Sequence, residues 1–156
     1  MSNLSIKEIK NLTPYTNTKG FIISNSFQVK PSKYGVFSLG GGQFSDGFNN
    51  LNNVTDPIYN TIVGYACTLE NIYITICQNN GNFITNVGVD EEFIIYKNGV
   101  SVYNTTLSSS TKTKFFLEDL QIDFLPEDLL CFSLNNLTYA GGVIITLHNF
   151  FRNANT

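Results

Sequence analysis

Short runs of apolar, β-branched and aromatic residues recur along the chain, and an alternation of hydrophobic and polar residues within such a run is typical of β-strands. The alternation is clearest in residues 71–78, where every second position from 72 to 76 is isoleucine. Gly, Pro, Asn, Asp and Ser, which favour turns, separate such runs roughly every ten residues. The pattern predicts an all-β fold, an antiparallel β-sandwich (jelly roll) with about eight to ten short strands.

The predicted strands follow these alternating or apolar runs. They comprise residues 20–29, 33–39, 59–67, 71–78, a hairpin over 92–106, 112–117, 121–125, 129–134 and 143–151. The last of them, VIITLHNFF, is apolar enough to lie inside a sheet. We expect residues 1–19 to form an N-terminal arm or extension, residues 20–152 the jelly-roll domain, and residues 153–156 a polar tail.

The strongest local signal is the dipeptide Asn98-Gly99 between two β-rich runs. A two-residue type I′ turn needs positive φ at both central positions, which Asn and Gly tolerate. This turn predicts a register in which Lys97 faces Val100, Tyr96 faces Ser101, Ile95 faces Val102, and Ile94 faces Tyr103. Both faces of the hairpin are then largely apolar, so we expect it to be packed on both sides.

Two stretches are rich in turn-forming residues. The run Gly40-Gly41-Gly42 lacks the G-x-x-x-x-G-K-[ST] pattern and has no neighbouring basic residue to meet a phosphate, so it is interpreted as a turn. Residues 43–57 have no hydrophobic period and are rich in Asn, Gly and Asp. They are predicted to form a long loop.

Charge is scarce. Charged residues make up 13% of the chain, against about 25% in an average protein, and the net charge is −3 with a pI near 5.0. The sequence therefore lacks the excess of basic residues with which proteins usually bind nucleic acid. It also has no run of about 18 apolar residues for membrane insertion. Because the N-terminus lacks an apolar signal-peptide core, we expect synthesis in the cytoplasm without a Sec signal peptide.

The three cysteines, Cys67, Cys77 and Cys131, each lie in an apolar run and show no C-x-x-C spacing. Free cysteine is commonly buried, so three buried free thiols are expected. A disulfide between Cys67 and Cys77 stays open at this stage, since it requires the two residues to lie on neighbouring strands.

No catalytic, cofactor or metal site is predicted. Eight of the twelve acidic residues are the candidates for acid–base chemistry, and they occur before the hairpin and around a Pro-containing connection, where solvated carboxylates are usual: Asp90, Glu91, Glu92, Glu118, Asp119, Asp123, Glu127 and Asp128. Neither group has calcium-loop spacing. The single histidine, His148, would need a nucleophile such as Ser133 or a cysteine and a carboxylate to form a triad, and it cannot supply a zinc site alone. Its position within a strand favours a packed or interface role.

The aromatic residues suggest self-association. Tyr96 and Tyr103 on the hairpin, and Phe150 and Phe151 near the end of the last strand, are more aromatic surface than one small sandwich readily buries. We therefore predict that these four residues, together with His148, contribute to a subunit interface.

The order of motifs resembles a known family. The segments FSLGGGQF, IVGYACTLENIYITI, FIIYKNGVSVYNTTL, FLPEDLLCFSL and GGVIITLHNFF follow one another. This order resembles the C-terminal heads of bacterial collagen-like spore-surface proteins and related phage and large-virus fibre heads, which have a C1q/TNF-like jelly roll. The resemblance covers roughly residues 34–151. The Gly-Asp usual in that family is replaced here by Glu127-Asp128, and no collagen-like Gly-X-Y repeat occurs in the sequence.

The resemblance implies a compact trimer that acts without catalysis as a virion or spore-surface component, such as a minor capsid, fibre or appendage protein. The missing Gly-X-Y repeat favours a small particle protein that attaches to other coat or capsid proteins through residues 1–30. The alternative is a carbohydrate- or receptor-binding module that holds host glycans on the loops 43–57, 79–86 and 135–142. Clustered Asn, Asp and Tyr suit sugar hydroxyls but also suit ordinary turns.

Overall fold

The computed structural model describes residues 20–29, 33–39, 52–55, 59–78, 91–107, 114–136 and 143–154. These residues form an antiparallel β-sandwich, which confirms the predicted fold class. Its strands are β1 (Gly20–Val29), β2 (Lys33–Phe37), β3 (Thr61–Ile62), β4 (Cys67–Gln78), β5 (Glu91–Lys97), β6 (Val100–Leu107), β7 (Lys114–Leu117), β8 (Ile122–Phe124), β9 (Leu129–Asn136) and β10 (Val143–Asn153). A short 3-10 helix spans Asn52–Thr55.

The two sheets follow the strand order of a jelly roll. The first sheet runs β1-β10-β4-β7, with β8 also paired to β4, and the second runs β2-β9-β5-β6, with β3 also paired to β9. Strands that are neighbours in a sheet are thus mostly distant in sequence, as expected for Greek-key connections. The last strand, β10, lies between β1 and β4, as its apolar sequence predicts.

One main hydrophobic core fills the space between the sheets. Alternation places one side of each strand inward, so Phe27, Ile74 and Leu147 of the first sheet are buried together with Ile95 and Phe132 of the second. A smaller cluster lies on the outer face of the second sheet. There Val36, Val54, Ile94, Tyr96 and Cys131 are buried, and Tyr59 packs against them.

The hairpin forms as predicted near its turn and departs from the predicted register beyond it. Lys97 faces Val100 and Tyr96 faces Ser101, but Ile95 faces Tyr103 instead of Val102. The prediction for Ile95 and Ile94 is therefore wrong. Val102 is the extra residue of a β-bulge, which moves Tyr103 onto the inward side, where it packs against the main core.

The predicted strand over residues 59–67 is wrong in extent. Only Thr61–Ile62 pair with β9. The N–H of Val63 then donates to the carbonyl of Asp128 at 2.9 Å, and its carbonyl accepts from the N–H of Glu127 at 2.8 Å. These bonds fix the chain beside the turn before β9, and from there it crosses to the first sheet. The next strand, β4, begins at Cys67, four residues before the predicted start at residue 71.

The cysteines lie as free thiols, two buried and one half-buried. Cys67 and Cys77 occupy opposite ends of the same strand, β4. Ten residues of extended strand span about 33 Å, far beyond the reach of a disulfide, so a bond between these two within one chain is excluded. Burial raises the pKa of the Cys131 thiol to about 12, which keeps it protonated and unreactive.

Across the described ranges, no helix is long and apolar enough to cross a lipid bilayer.

Candidate interaction surface

The outer face of the first sheet carries a row of side chains that spans four strands. Ser24 of β1 faces His148 of β10, His148 faces Tyr73 of β4, and Tyr73 faces Phe116 of β7. Alternation explains this arrangement, because the neighbours of these residues along each strand point into the core. Directly opposed residues on one face lie close enough for side-chain contact, so the row is a continuous surface.

Contacts along the row fix its side chains. The Ser24 Oγ lies 2.6 Å from His148 Nδ1, which orients the imidazole. The His148 and Tyr73 rings have centroids 6.3 Å apart, and the Tyr73 and Phe116 rings 6.1 Å apart, both in tilted arrangements. Aromatic rings with centroids between about 4.5 and 7 Å attract one another. The row is therefore pre-organised in the single chain.

A second row extends the same surface toward the end of the sheet. Ile22 faces Phe150, and Phe150 faces Asn71. We call the outward residues of these two rows the aromatic face: Ile22, Ser24, Tyr73, Phe116, His148 and Phe150. Ile22 is 59% exposed and Phe116 is 49% exposed, while Tyr73, His148 and Phe150 are half-buried. Large apolar side chains thus remain in contact with water.

Charged side chains lie at the borders of the aromatic face. At one end, Arg152 Nε donates to Glu70 Oε1 at 2.6 Å. Glu70 is the extra residue of a β-bulge opposite Phe150 and Phe151, and this bulge places it on the outer side. At the other end, Lys114 faces Thr75. A charge-poor aromatic centre with a polar rim is the composition of protein–protein interfaces.

The predicted interface residues divide between this face and the interior. His148 and Phe150 lie on the aromatic face. Tyr96 is only 6% exposed and Phe151 only 4%, so both side chains are buried within the single chain. The segment around Val54 and Tyr59 covers Tyr96 within the same chain.

Phe151 points inward because it neighbours the outward Phe150, and its ring stacks on Phe21 with centroids 5.0 Å apart. Tyr103 packs half-buried against the main core. Sequence reasoning missed Ile22, Tyr73 and Phe116. The alternation within each strand could have indicated them, because each residue is the direct neighbour of inward-facing residues and therefore points outward.

No protein-family model and no curated protein matches this chain.

The pairing of His148 with Ser133 does not form. Ser133 is buried in the second sheet, whereas His148 lies on the outer side of the first. The serine beside the imidazole is Ser24, an ordinary strand residue whose backbone belongs to the β1–β10 ladder. Among the described residues, no group of three or more His, Cys, Asp or Glu side chains is placed to hold a metal ion.

Several of the acidic residues have structural partners. Asp123 accepts a hydrogen bond from Thr68 Oγ1 at 2.6 Å. Glu91, expected to be solvated, is buried instead, because it lies on the same inward side of β5 as Phe93 and Ile95. Asp90 lies outside the described residues.

Asp128 joins the hairpin turn to the turn before β9. Its carboxylate accepts hydrogen bonds from the Leu125 N–H and the Asn98 Nδ2, both at 2.7 Å, and lies 3.0 Å from Lys97 Nζ. Asn98 Oδ1 in turn accepts from the Leu129 N–H at 2.8 Å. These bonds, led by the one from Leu125, lower the pKa of Asp128 to about 2. The cluster is a structural link between two turns.

This link should make stability depend on pH in the acid range. The pKa of Asp128 is lower in the folded than in the unfolded chain, so its contribution is present above about pH 4 and is lost as the pH falls toward 2. Asp128→Asn should be less stable than the wild type by about 1 kcal/mol at pH 7, because the carboxylate is partly exposed. Urea unfolding of both proteins between pH 7 and 2 should show this difference shrinking, and a constant difference would contradict the assignment.

The loops of the sugar-binding alternative fall largely outside the described residues. Of the loops 43–57, 79–86 and 135–142, the structure describes only residues 52–55 and the backbone of 135–136. The predicted arm at residues 1–19 also lies outside them. The role of these segments stays a prediction.

Proposed function

We propose that this protein is a non-enzymatic structural subunit that self-associates through the aromatic face, as a trimer, in the surface layer of a virion or spore. The observation that carries the proposal is the exposure of Ile22 and Phe116. Both belong to the aromatic face, which contains no Asp, Glu, Lys or Arg. Burial of such a surface against another copy removes apolar area from water without desolvating a full charge.

The geometry of the face favours a rigid partner of the same kind. Its side chains are held by cross-strand contacts, so little conformational entropy is lost when they are covered. In a closed cyclic trimer, the aromatic face of each copy would pack against a different surface of the next copy.

The trimeric state and the particle surface rest on the resemblance to C1q/TNF-like heads. Two features of the fold support this resemblance. The strand order is that of a jelly roll. In addition, Glu127 has a φ of 75° at the position where those heads usually carry glycine, and such a backbone conformation favours glycine. Attachment to other coat or capsid proteins through residues 1–30 is part of the same proposal.

The test compares matched substitutions on the two sheets. Ile22→Glu and Phe116→Glu place a carboxylate on the aromatic face, whereas Val100→Glu makes the same kind of change on β6 of the second sheet, where Val100 is 65% exposed. The mass of each protein is measured by light scattering across a range of micromolar concentrations. Circular dichroism checks that each variant retains its β structure.

We expect the wild type and Val100→Glu to be trimers. The trimers of both face variants should have a dissociation constant at least tenfold higher than that of the wild type, because burying an unpaired carboxylate costs more than about 1.4 kcal/mol. A monomeric wild type at every concentration would overturn self-association. A trimer that tolerates both face substitutions would place the interface elsewhere.

A further inference from the structure

A small cavity opens between the two sheets at the edge of the sandwich. Its volume is about 160 Å³. The first sheet contributes Phe21, Ile23, Cys67 and Phe151, and the chain around β3 contributes residues 61–65, with Leu39 completing the wall. The cavity lies on the inner side of β1 and β10, so it is distinct from the aromatic face on their outer side.

The walls of the cavity are almost entirely apolar, and aromatic rings form part of them. Phe21 stacks on Phe151 and meets Tyr65 edge-on, with ring centroids 5.6 Å apart. The Thr61 hydroxyl, a polar group of the lining, already accepts a hydrogen bond from the Leu39 N–H at 2.7 Å. No Lys, Arg, Asp or Glu is among the lining residues.

Residues near the mouth leave apolar surface in water. Ile62 is 67% exposed and Tyr65 is 51% exposed, and both line the cavity. Filling the cavity with an apolar molecule would remove part of this surface from water and supply the dispersion contacts that its walls lack. Apolar cavities of about 150 Å³ are known to take up benzene-sized molecules.

We propose that this cavity is a binding site for a small uncharged molecule with a single aromatic ring. The ring would pack against Phe21 and Tyr65 and enter beside Ile62. A carboxylate or ammonium group on the ligand would be excluded, because the walls offer no charged partner and desolvation of the charge would be unfavourable. Burial raises the pKa of the Cys67 thiol in the wall, which keeps that group neutral as well.

Gly64 provides a way to close the site. It lines the cavity, and a Cβ added there meets no heavy atom within 4 Å. The larger side chain of Gly64→Leu should occupy space at the mouth, while Gly64→Ala, which adds a single methyl group, should leave most of the cavity open. Both variants are made in the full-length protein.

The experiment uses toluene as the probe and benzoate as the charged control. Toluene at about ten times its dissociation constant should raise the melting temperature of the wild type and of Gly64→Ala by roughly 3–6 °C. It should have little effect on Gly64→Leu, and benzoate should have little effect on any of the three proteins. Methyl NMR spectra should show toluene-induced shifts at Ile23, Ile62 and Val63 and none at Val102 on the second sheet.

The methyl shifts keep the test decisive if Gly64→Leu folds poorly. Shifts confined to the three cavity residues would support the site in the wild type alone. No shift, shifts spread over the surface, or an equal response to benzoate would overturn it. A protein that proves monomeric would leave this result unaffected, so failure of the self-association proposal and failure of this one are distinguishable.

Discussion

Phe132→Ala is expected to lower the free energy of unfolding by about 3–5 kcal/mol. Phe132 lies on the central strand β9, is fully buried, and packs its ring against Phe93 with centroids 5.9 Å apart. Alanine would leave a cavity between the two sheets, because the backbone of β9 is held by ladders on both sides and cannot collapse into the space.

The matched control is Phe116→Ala, which deletes the same atoms from a half-exposed position on the aromatic face. In urea unfolding at a fixed protein concentration, the free energy of unfolding of this variant should fall by no more than about 1 kcal/mol, apart from any loss caused by dissociation of the trimer. Similar losses from both substitutions at a concentration where all the proteins are monomeric would mean that the core is not where the structure places it.

Gly99→Ala is expected to destabilise the protein by about 1–2 kcal/mol, with Gly64→Ala as its control. Gly99 has a φ of 76° in the hairpin turn, a conformation that is costly for any residue with a Cβ. The added Cβ would also lie 2.6 Å from the Thr55 Cγ2, so the side chain of Thr55 would have to move. Both contributions act in the same direction.

Gly64→Ala meets neither obstacle. Its new methyl group enters open space, and alanine reduces the freedom of the unfolded chain, so its stability should be unchanged or higher by up to about 1 kcal/mol. Thermal unfolding of the two variants side by side measures the difference. If Gly64→Ala proved the more damaging of the two, the turn assignment at Gly99 would be wrong.

The sequence predicts the strands well where local information is sufficient. The alternation of isoleucines in β4 and the Asn98-Gly99 turn each depend on neighbouring residues, and both features occur in the structure as expected. The central position of β10 follows from its apolar composition. These features together define most of the sandwich.

The features that the sequence did not predict depend on distant contacts. The bulge at Val102 allows Tyr103 to reach the core, and nothing within the hairpin sequence distinguishes this register from the unbulged one. Tyr96 looked like an exposed aromatic residue because its cover, Val54 and Tyr59, comes from a segment about forty residues earlier in the chain. The aromatic face likewise becomes visible only when four strands from different parts of the chain are aligned.

The central position of β10 has a consequence for biosynthesis. Residues 143–153 are translated long after β1 and β4, yet they separate these two strands in the finished sheet. While the ribosome is still adding these residues, β1 lacks its ladder partner among the described strands, and one edge of β4 stays open. The β5–β6 hairpin, whose contacts are local, can form during translation, whereas the first sheet must close afterwards. Unpaired strand edges attract other chains, so the nascent polypeptide is most vulnerable to aggregation before residues 143–153 take their place between β1 and β4.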